Sequence, residues 1–378
     1  MTQDSNTPLY FNCHMCGDCC SSWNIPLEGH KAVQLLEKAW VNTRLADTRR
    51  QLVQLSEDFY RIPLTDDNVC VFLADDRRCM VELHEGPLLK PKECQRFPFA
   101  TIQLPDGSQC HETSAACKHI SETLLKAFQP ILPKPLLKDT DSITAFQQQE
   151  DAQFDEVGQL PDRIPVNVFR TVGLEQYEHY LEQLQAVFSE SKPNADTALH
   201  RIARLLPGLH TQLDKQKSTT SASVFRIPPQ LAHWVLIGFL RKPYRTLSWL
   251  SLLRGKTYHD PRVFGVPINL REQRRIPWNP AHDRLLNAFL FNVLYRKRLL
   301  TSGSSLTSLL AMASVAALLV QWNAKTLAWL QQTDTITETN VSGAIRLVER
   351  YYTGHQPRFL HWFTSRWKGW LLTKLLLN

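Results

Sequence analysis

Apolar positions recur with different periods along the chain. Between Ile25 and Leu55 the residues Val33, Leu35, Leu36, Ala39 and Trp40 are spaced for a helix, with acids early and Arg49 and Arg50 late, as a helix dipole prefers. Cys70-Val71-Phe72-Leu73 is a short apolar run followed by the turn-forming pair Asp75-Asp76. Cys79-Met80-Val81-Glu82-Leu83 reads as its return strand, so a small hairpin is expected. Phe97 to Leu104 reads as extended and is closed by the turn sequence Pro105-Asp106-Gly107.

Residues 129–165 hold several prolines and a polar, Gln-rich stretch, which suits a connection between domains. Helical spacing dominates beyond them. Asn279-Pro280 is a cap followed by proline at the first helical position, opening a helix through Leu285, Leu286, Phe289, Leu290, Val293 and Leu294. Thr335 and Glu338 have capping-box spacing for a helix running to about Tyr352. Residues 211–230 read as a loop, and no internal repeat is visible. The expected fold is therefore mainly α: a small irregular α+β cysteine-cluster domain at the N-terminus (1–125), a linker-like connection (126–165) and an all-helical domain (166–378).

Two stretches bear on membranes. Leu299 to Ala324 carries no charge, and a spanning helix needs about 20 mainly apolar residues. Ser302, Gly303, Ser304, Ser305, Thr307 and Ser308 dilute its first half, so it reads as a buried core helix. Arg358 to Leu377 mixes Trp362, Phe363, Trp367 and Trp370 with Arg366, Lys368 and Lys374. Docking onto the helical domain is expected there, with peripheral contact to an anionic membrane as the alternative.

Composition narrows the chemistry. Glycine is scarce, with 14 in 378 residues, and no glycine-rich strand–turn–helix loop for a nucleotide or phosphate is present. The formal net charge is +7, yet residues 1–120 hold more Asp/Glu than Lys/Arg. Much of the basic excess lies between Arg241 and Arg298, where only Asp260, Glu272 and Asp283 oppose it. Such a block is either a solvated helical face or a surface for an acidic partner or membrane. No nucleic-acid-binding motif accompanies it, so a protein substrate or partner is expected.

All nine cysteines fall between Cys13 and Cys117. Met1 to Tyr10 has no apolar leader, so a cytoplasmic, reducing setting is expected. A dense thiol set in that setting reads as metal-binding rather than disulfide-bonded. The opening run Cys13-x2-Cys16-x2-Cys19-Cys20 can aim successive thiolates at one centre. Its first part resembles the bacterial ferredoxin run, whose ligands bind [4Fe–4S] clusters, but Trp23 stands where the fourth cysteine would be. A fourth ligand then comes from Cys20 or from Cys70, Cys79 or Cys94, with Cys94 preferred, because the neighbours Cys19 and Cys20 have diverging side chains that make it awkward for both to serve one small site. The candidate metal ligands are Cys13, Cys16, Cys19, Cys20, Cys70, Cys79, Cys94 and Cys117; His14, His84, His111 and His119 lie close in sequence but are weaker candidates. Four thiolates suit zinc or an iron–sulfur cluster equally. Glu93 and Arg96 flank Cys94 and could orient a ligand.

At these residues the chain resembles a family of zinc- or iron-chelating proteins named for the CxxCxxCC motif. Phe11 to Cys20 matches its start, Cys70-Val71-Phe72-Leu73 and Cys79-Met80-Val81 its middle cysteines, and Cys94-Gln95-Arg96-Phe97-Pro98-Phe99 its Cys-Arg-x-Phe/Tyr-Pro segment. The longer layout is similar to that of flagellin lysine N-methylases. Cys20-Ser21-Ser22-Trp23-Asn24-Ile25 and Ser114-Ala115-Ala116-Cys117-Lys118 carry that likeness. It implies S-adenosylmethionine as methyl donor, a [4Fe–4S] cluster and a protein lysine as acceptor.

Overall fold

The computed structural model describes residues 9–11, 14–21, 25–107, 109–123, 131–133, 159–167, 169–189, 199, 201–202, 257–259, 267–301 and 303–353. Cys13, the 211–230 loop, the 358–377 segment and most of the 129–165 connection lie outside these residues, as does most of the basic stretch from Arg241 to Pro267.

The first body forms around a three-stranded antiparallel sheet. Phe59–Arg61 is central and pairs with Pro26–Glu28 on one side and Val53–Gln54 on the other, in a register that sets Leu27 opposite Tyr60. The single helix expected across Ile25 to Leu55 is instead a strand, two helices and a strand. Gly29–Leu36 and Ala39–Asp47 are helical, and the chain breaks between them at Glu37 and Lys38. Burial explains the difference. Leu27, Ala32, Leu35 and Val41 face the core, whereas Val33 and Leu36 of the expected stripe point outward, 54% and 38% exposed. Extending the first helix back through Leu27 would give up the strand pairing that buries it.

The hairpin expected around Cys70–Leu83 is only half present. Leu73 and Cys79 form an isolated antiparallel bridge, but Met80–Glu85 is a helix. Only Val81 of this helix is buried, and Leu83 stays 46% exposed. A single inward apolar residue suits one helical turn laid on a core as well as it suits a strand, so period alone could not decide. The extended Phe97–Leu104 segment does form a strand, Phe99–Gln103, which pairs antiparallel with Gln109–Thr113 and sets Ile102 opposite Cys110. Gly107 takes φ 84 in the turn between them, a conformation that glycine adopts without strain.

The second body is helical. Leu306–Leu330 runs through its middle, flanked by Asp283–Tyr295 and Glu338–Val348, and Leu174–Ser189 packs on Asp283–Tyr295. By length and composition this central helix could cross a membrane, but 83% of its most apolar window is buried inside the protein. Ser305 caps it, its hydroxyl accepting from the Ser308 N–H at 3.3 Å. Asn279 caps the turn before Asp283–Tyr295, accepting from the Ala281 N–H at 3.0 Å. The box before Glu338 is formed by Thr337 and Asn340, two residues on from the expected Thr335 start. Thr337 is the residue in the extended conformation that a cap requires, and the two side chains satisfy each other's backbone N–H at 3.2 and 2.9 Å. The last turn, Glu349–Thr353, widens into a π-helix.

Two apolar cores result, and the larger one crosses between the bodies. Ile102, Ala115, Cys117 and Ile120 belong to the same buried cluster as Leu286, Phe289, Leu310 and Ile345. The described chain is mainly helical with a few small sheets.

Candidate metal centre

Glycine begins the site. Gly17 adopts φ 71, ψ −4 and turns the chain into the short Asp18–Cys20 helix, closed by the Cys20 N–H donating to the Gly17 carbonyl at 3.0 Å. A Cβ at this position would lie 3.1 Å from Arg77 Cδ and 3.2 Å from Leu73 Cδ2. The left-handed backbone favours glycine here, and the tight approach of Arg77 and Leu73 leaves little room for a side chain where the first cysteine loop meets the second.

The second loop is held by backbone and by arginine. The Cys70 N–H donates to the Cys20 carbonyl at 2.7 Å, and Ser21 bridges Val69. Arg44, on the Ala39–Asp47 helix, donates to the carbonyls of Val71 at 2.8 Å and Leu73 at 3.1 Å. The Leu73–Cys79 bridge returns Cys79 to the same side. Cys94 arrives on the Lys92–Arg96 helix, and Cys117 sits at the start of Lys118–Glu122. Cys70, Cys79 and Cys94 all pack on the first core, beside Phe72 and Val81.

These elements bring thiols from four places into one basin. Cys19 and Cys20 hydrogen-bond each other, contrary to the divergence expected of sequence neighbours. The tight Asp18–Cys20 turn is what brings the two side chains together. Cys70, Cys79 and Cys94 lie near enough for their charges to act on one another, and Cys19 acts on both Cys70 and Cys94. The hydrogen bond from Cys20 holds Cys19 down at about 7, while Cys20, which gives that bond and is buried, is pushed up. Burial first, and neighbouring thiolates after it, push Cys70 up to about 12 and Cys94 higher still. Such a crowd cannot ionise together without a cation to offset the repulsion. Lys90 faces Cys19, Cys79 and Cys94, Arg44 faces Cys70, and Arg350 faces Cys19.

The other cysteines divide. Cys117, pushed up to about 12 mainly by burial, feels the charges of Cys19 and Cys16, so these two flank the basin. Cys110 interacts instead with Lys297, by a hydrogen bond, and with Glu112. Among the histidines, His14 and His119 stack at 3.6 Å and His84 stacks on Trp40 at 4.8 Å. His111 lies on the Gln109–Thr113 strand. Among the described residues, no group of three or more His, Cys, Asp or Glu side chains is placed so that it could hold a metal ion. The chemistry of the donor set, free thiols carried by separate elements, still suits a thiophilic dication. Arg44, Lys90, Asp18 and Arg350 carry no motif that marks them in the sequence; they are recognisable only by what they touch.

Residues 12–119 match the CxxCxxCC family model, described as a putative zinc- or iron-chelating domain. No curated protein and no solved structure matches the chain.

Proposed function

We propose that this chain, whose N-terminal segment matches a zinc- or iron-chelating domain, is a cysteine-ligated metal protein with Cys19, Cys70, Cys79 and Cys94 as its principal ligands. The convergence of thiols from four chain segments on one cation-rimmed basin carries this reading. Cys20 supports Cys19 by hydrogen bond, and Cys13, Cys16 and Cys117 supply further thiolates for a larger cluster. Zinc held this way would supply folding free energy, on the order of 10 kcal/mol for structural sites. The eight free cysteines among the described residues suit a reducing, cytoplasmic setting.

Metal, iron and acid-labile sulfide analysis with the visible spectrum, on protein purified without oxygen, tests the reading. Zinc or iron near stoichiometry, lost in a Cys70→Ser/Cys94→Ser variant, is expected. Metal-free protein of unchanged stability would sink it.

The likeness to flagellin lysine N-methylases supports a finer reading, transfer of a methyl group from S-adenosylmethionine to a lysine of a protein partner. Its support is the sequence around Cys13 to Ile25 and Ser114 to Cys117. Incorporation of labelled methyl into candidate proteins tests it, and failure to bind the donor at high concentration ends it.

A further inference from the structure

The matched segment ends at residue 119, yet two arginines more than 200 residues later close over the cysteine loop. Arg350 Nη2 donates to the carbonyl of Asp18, the residue before Cys19, at 3.0 Å. Arg346 Nε lies 3.6 Å from the Asp18 carboxylate, and its Nη1 lies 2.7 Å from Glu122 and 3.5 Å from the Ser121 hydroxyl. Ser121 and Glu122 belong to the helix that Cys117 begins. The pair therefore ties together the two ends of the thiol basin, the Cys16–Cys20 loop and the Cys117 helix. Both groups are partly buried, with the Arg346 side chain 19% and the Asp18 side chain 36% exposed, so screening is incomplete.

Position and charge act in the same direction. Four thiolates around a dication leave an excess of negative charge that nearby cations offset. Lys90 supplies one such cation from within the matched segment. The π-helical turn at Glu349–Thr353 brings the Arg350 guanidinium to the Asp18 carbonyl. Outer contacts of this kind orient the loop that carries the ligands, and their loss costs metal proteins 10–100-fold in affinity.

We infer that Arg346 and Arg350 are positioning residues of the metal centre, so that metal loading and docking of the Glu338–Thr353 helix stabilise each other. The inference rests on the metal reading above. It makes the helical body part of the site and not a separate passenger, and the coupling is reciprocal by thermodynamic necessity.

The test uses the full chain and zinc, with affinity measured by competition against a chromophoric chelator. Arg350→Met is expected to raise the zinc Kd by about 10–100-fold, with Arg350→Lys between it and the wild type because the charge is kept and the fork is lost. A second measurement needs no variant. In the wild type, hydrogen exchange across residues 338–353 should be faster after chelation than with zinc bound. Zinc bound by the wild type with an equal Kd in Arg350→Met, or exchange unaffected by zinc, would overturn the inference alone. Neither zinc nor iron bound by the wild type would overturn the metal reading and this inference together. If Arg350→Met does not fold, the wild-type exchange result decides.

Discussion

Replacing Arg296 with Met should destabilise the protein by about 3 kcal/mol, because it strands a carboxylate between the two bodies. Arg296 pairs with Glu349 at 2.8 Å, with the side chains only 9% and 1% exposed. It also donates to Asn292 at 2.8 Å and to the Thr113 carbonyl at 3.4 Å, and it attracts the fully buried Glu112. Removing one partner of a buried ion pair typically costs about 3–5 kcal/mol. Glu349 would keep hydrogen bonds from Ser114 at 3.2 Å and Thr353 at 2.6 Å, worth about 1 kcal/mol each. Glu112 would keep the backbone N–H groups of Lys297 and Arg298. Those remaining donors place the effect at the lower end of the range. Adding Glu349→Gln removes the stranded charge, so the double variant should recover about 2 kcal/mol. Equilibrium urea unfolding of the wild type, both single variants and the double variant, at matched metal content, measures all four corners. A loss under about 1 kcal/mol for Arg296→Met, or simple additivity in the double variant, would show that water reaches the pair and refute the dry interface.

Gly17→Ala should cost about 1–2 kcal/mol for the left-handed backbone alone, with more from the tight approach to Arg77 and Leu73; a neutral result in thermal melts would contradict the close-packed loop. In the metal-free protein Cys19, held near 7, should be alkylated by iodoacetamide before Cys94, which burial pushes up. Because its pKa is lowered, its thiolate fraction rises as pH climbs through 7, about fivefold between pH 6 and 7. The matching stability is complete above about pH 9, the ordinary value, and is lost as pH falls toward 7. Mass mapping that finds equal labelling of both cysteines would count against the shared-proton pair. Leu310→Ala empties a fully buried position on the central helix and should cost about 3 kcal/mol; a loss below about 1 kcal/mol would mean that the Leu306–Leu330 helix is not the core element.

Much of the architecture is legible because it is local. The helix start at Asn279, the turn at Gly107 and the apolar run from Leu306 follow from the conformational preferences of a few adjacent residues. The concentration of cysteines before residue 118 likewise marks the segment that matches a zinc- or iron-chelating domain. Local pattern fails where one or two apolar residues must choose a period. Cys79–Leu83 reads equally as strand or helix, and the choice came from Val81 packing on the first core. The 25–55 stretch failed for the same reason, since pairing of Leu27 with Tyr60 outweighed continuation of a helix.

The sequence by itself determined which residue types gather, a thiol-rich N-terminal segment and a helical remainder, because composition and spacing are properties of neighbours. Only the tertiary structure decided which thiols share a basin, that Cys110 leaves it for Lys297, and that Arg346 and Arg350 close over Asp18. Those contacts join residues up to 332 positions apart. The free energy that selects them comes from burying surfaces against each other, and no short-range spacing in the chain records that.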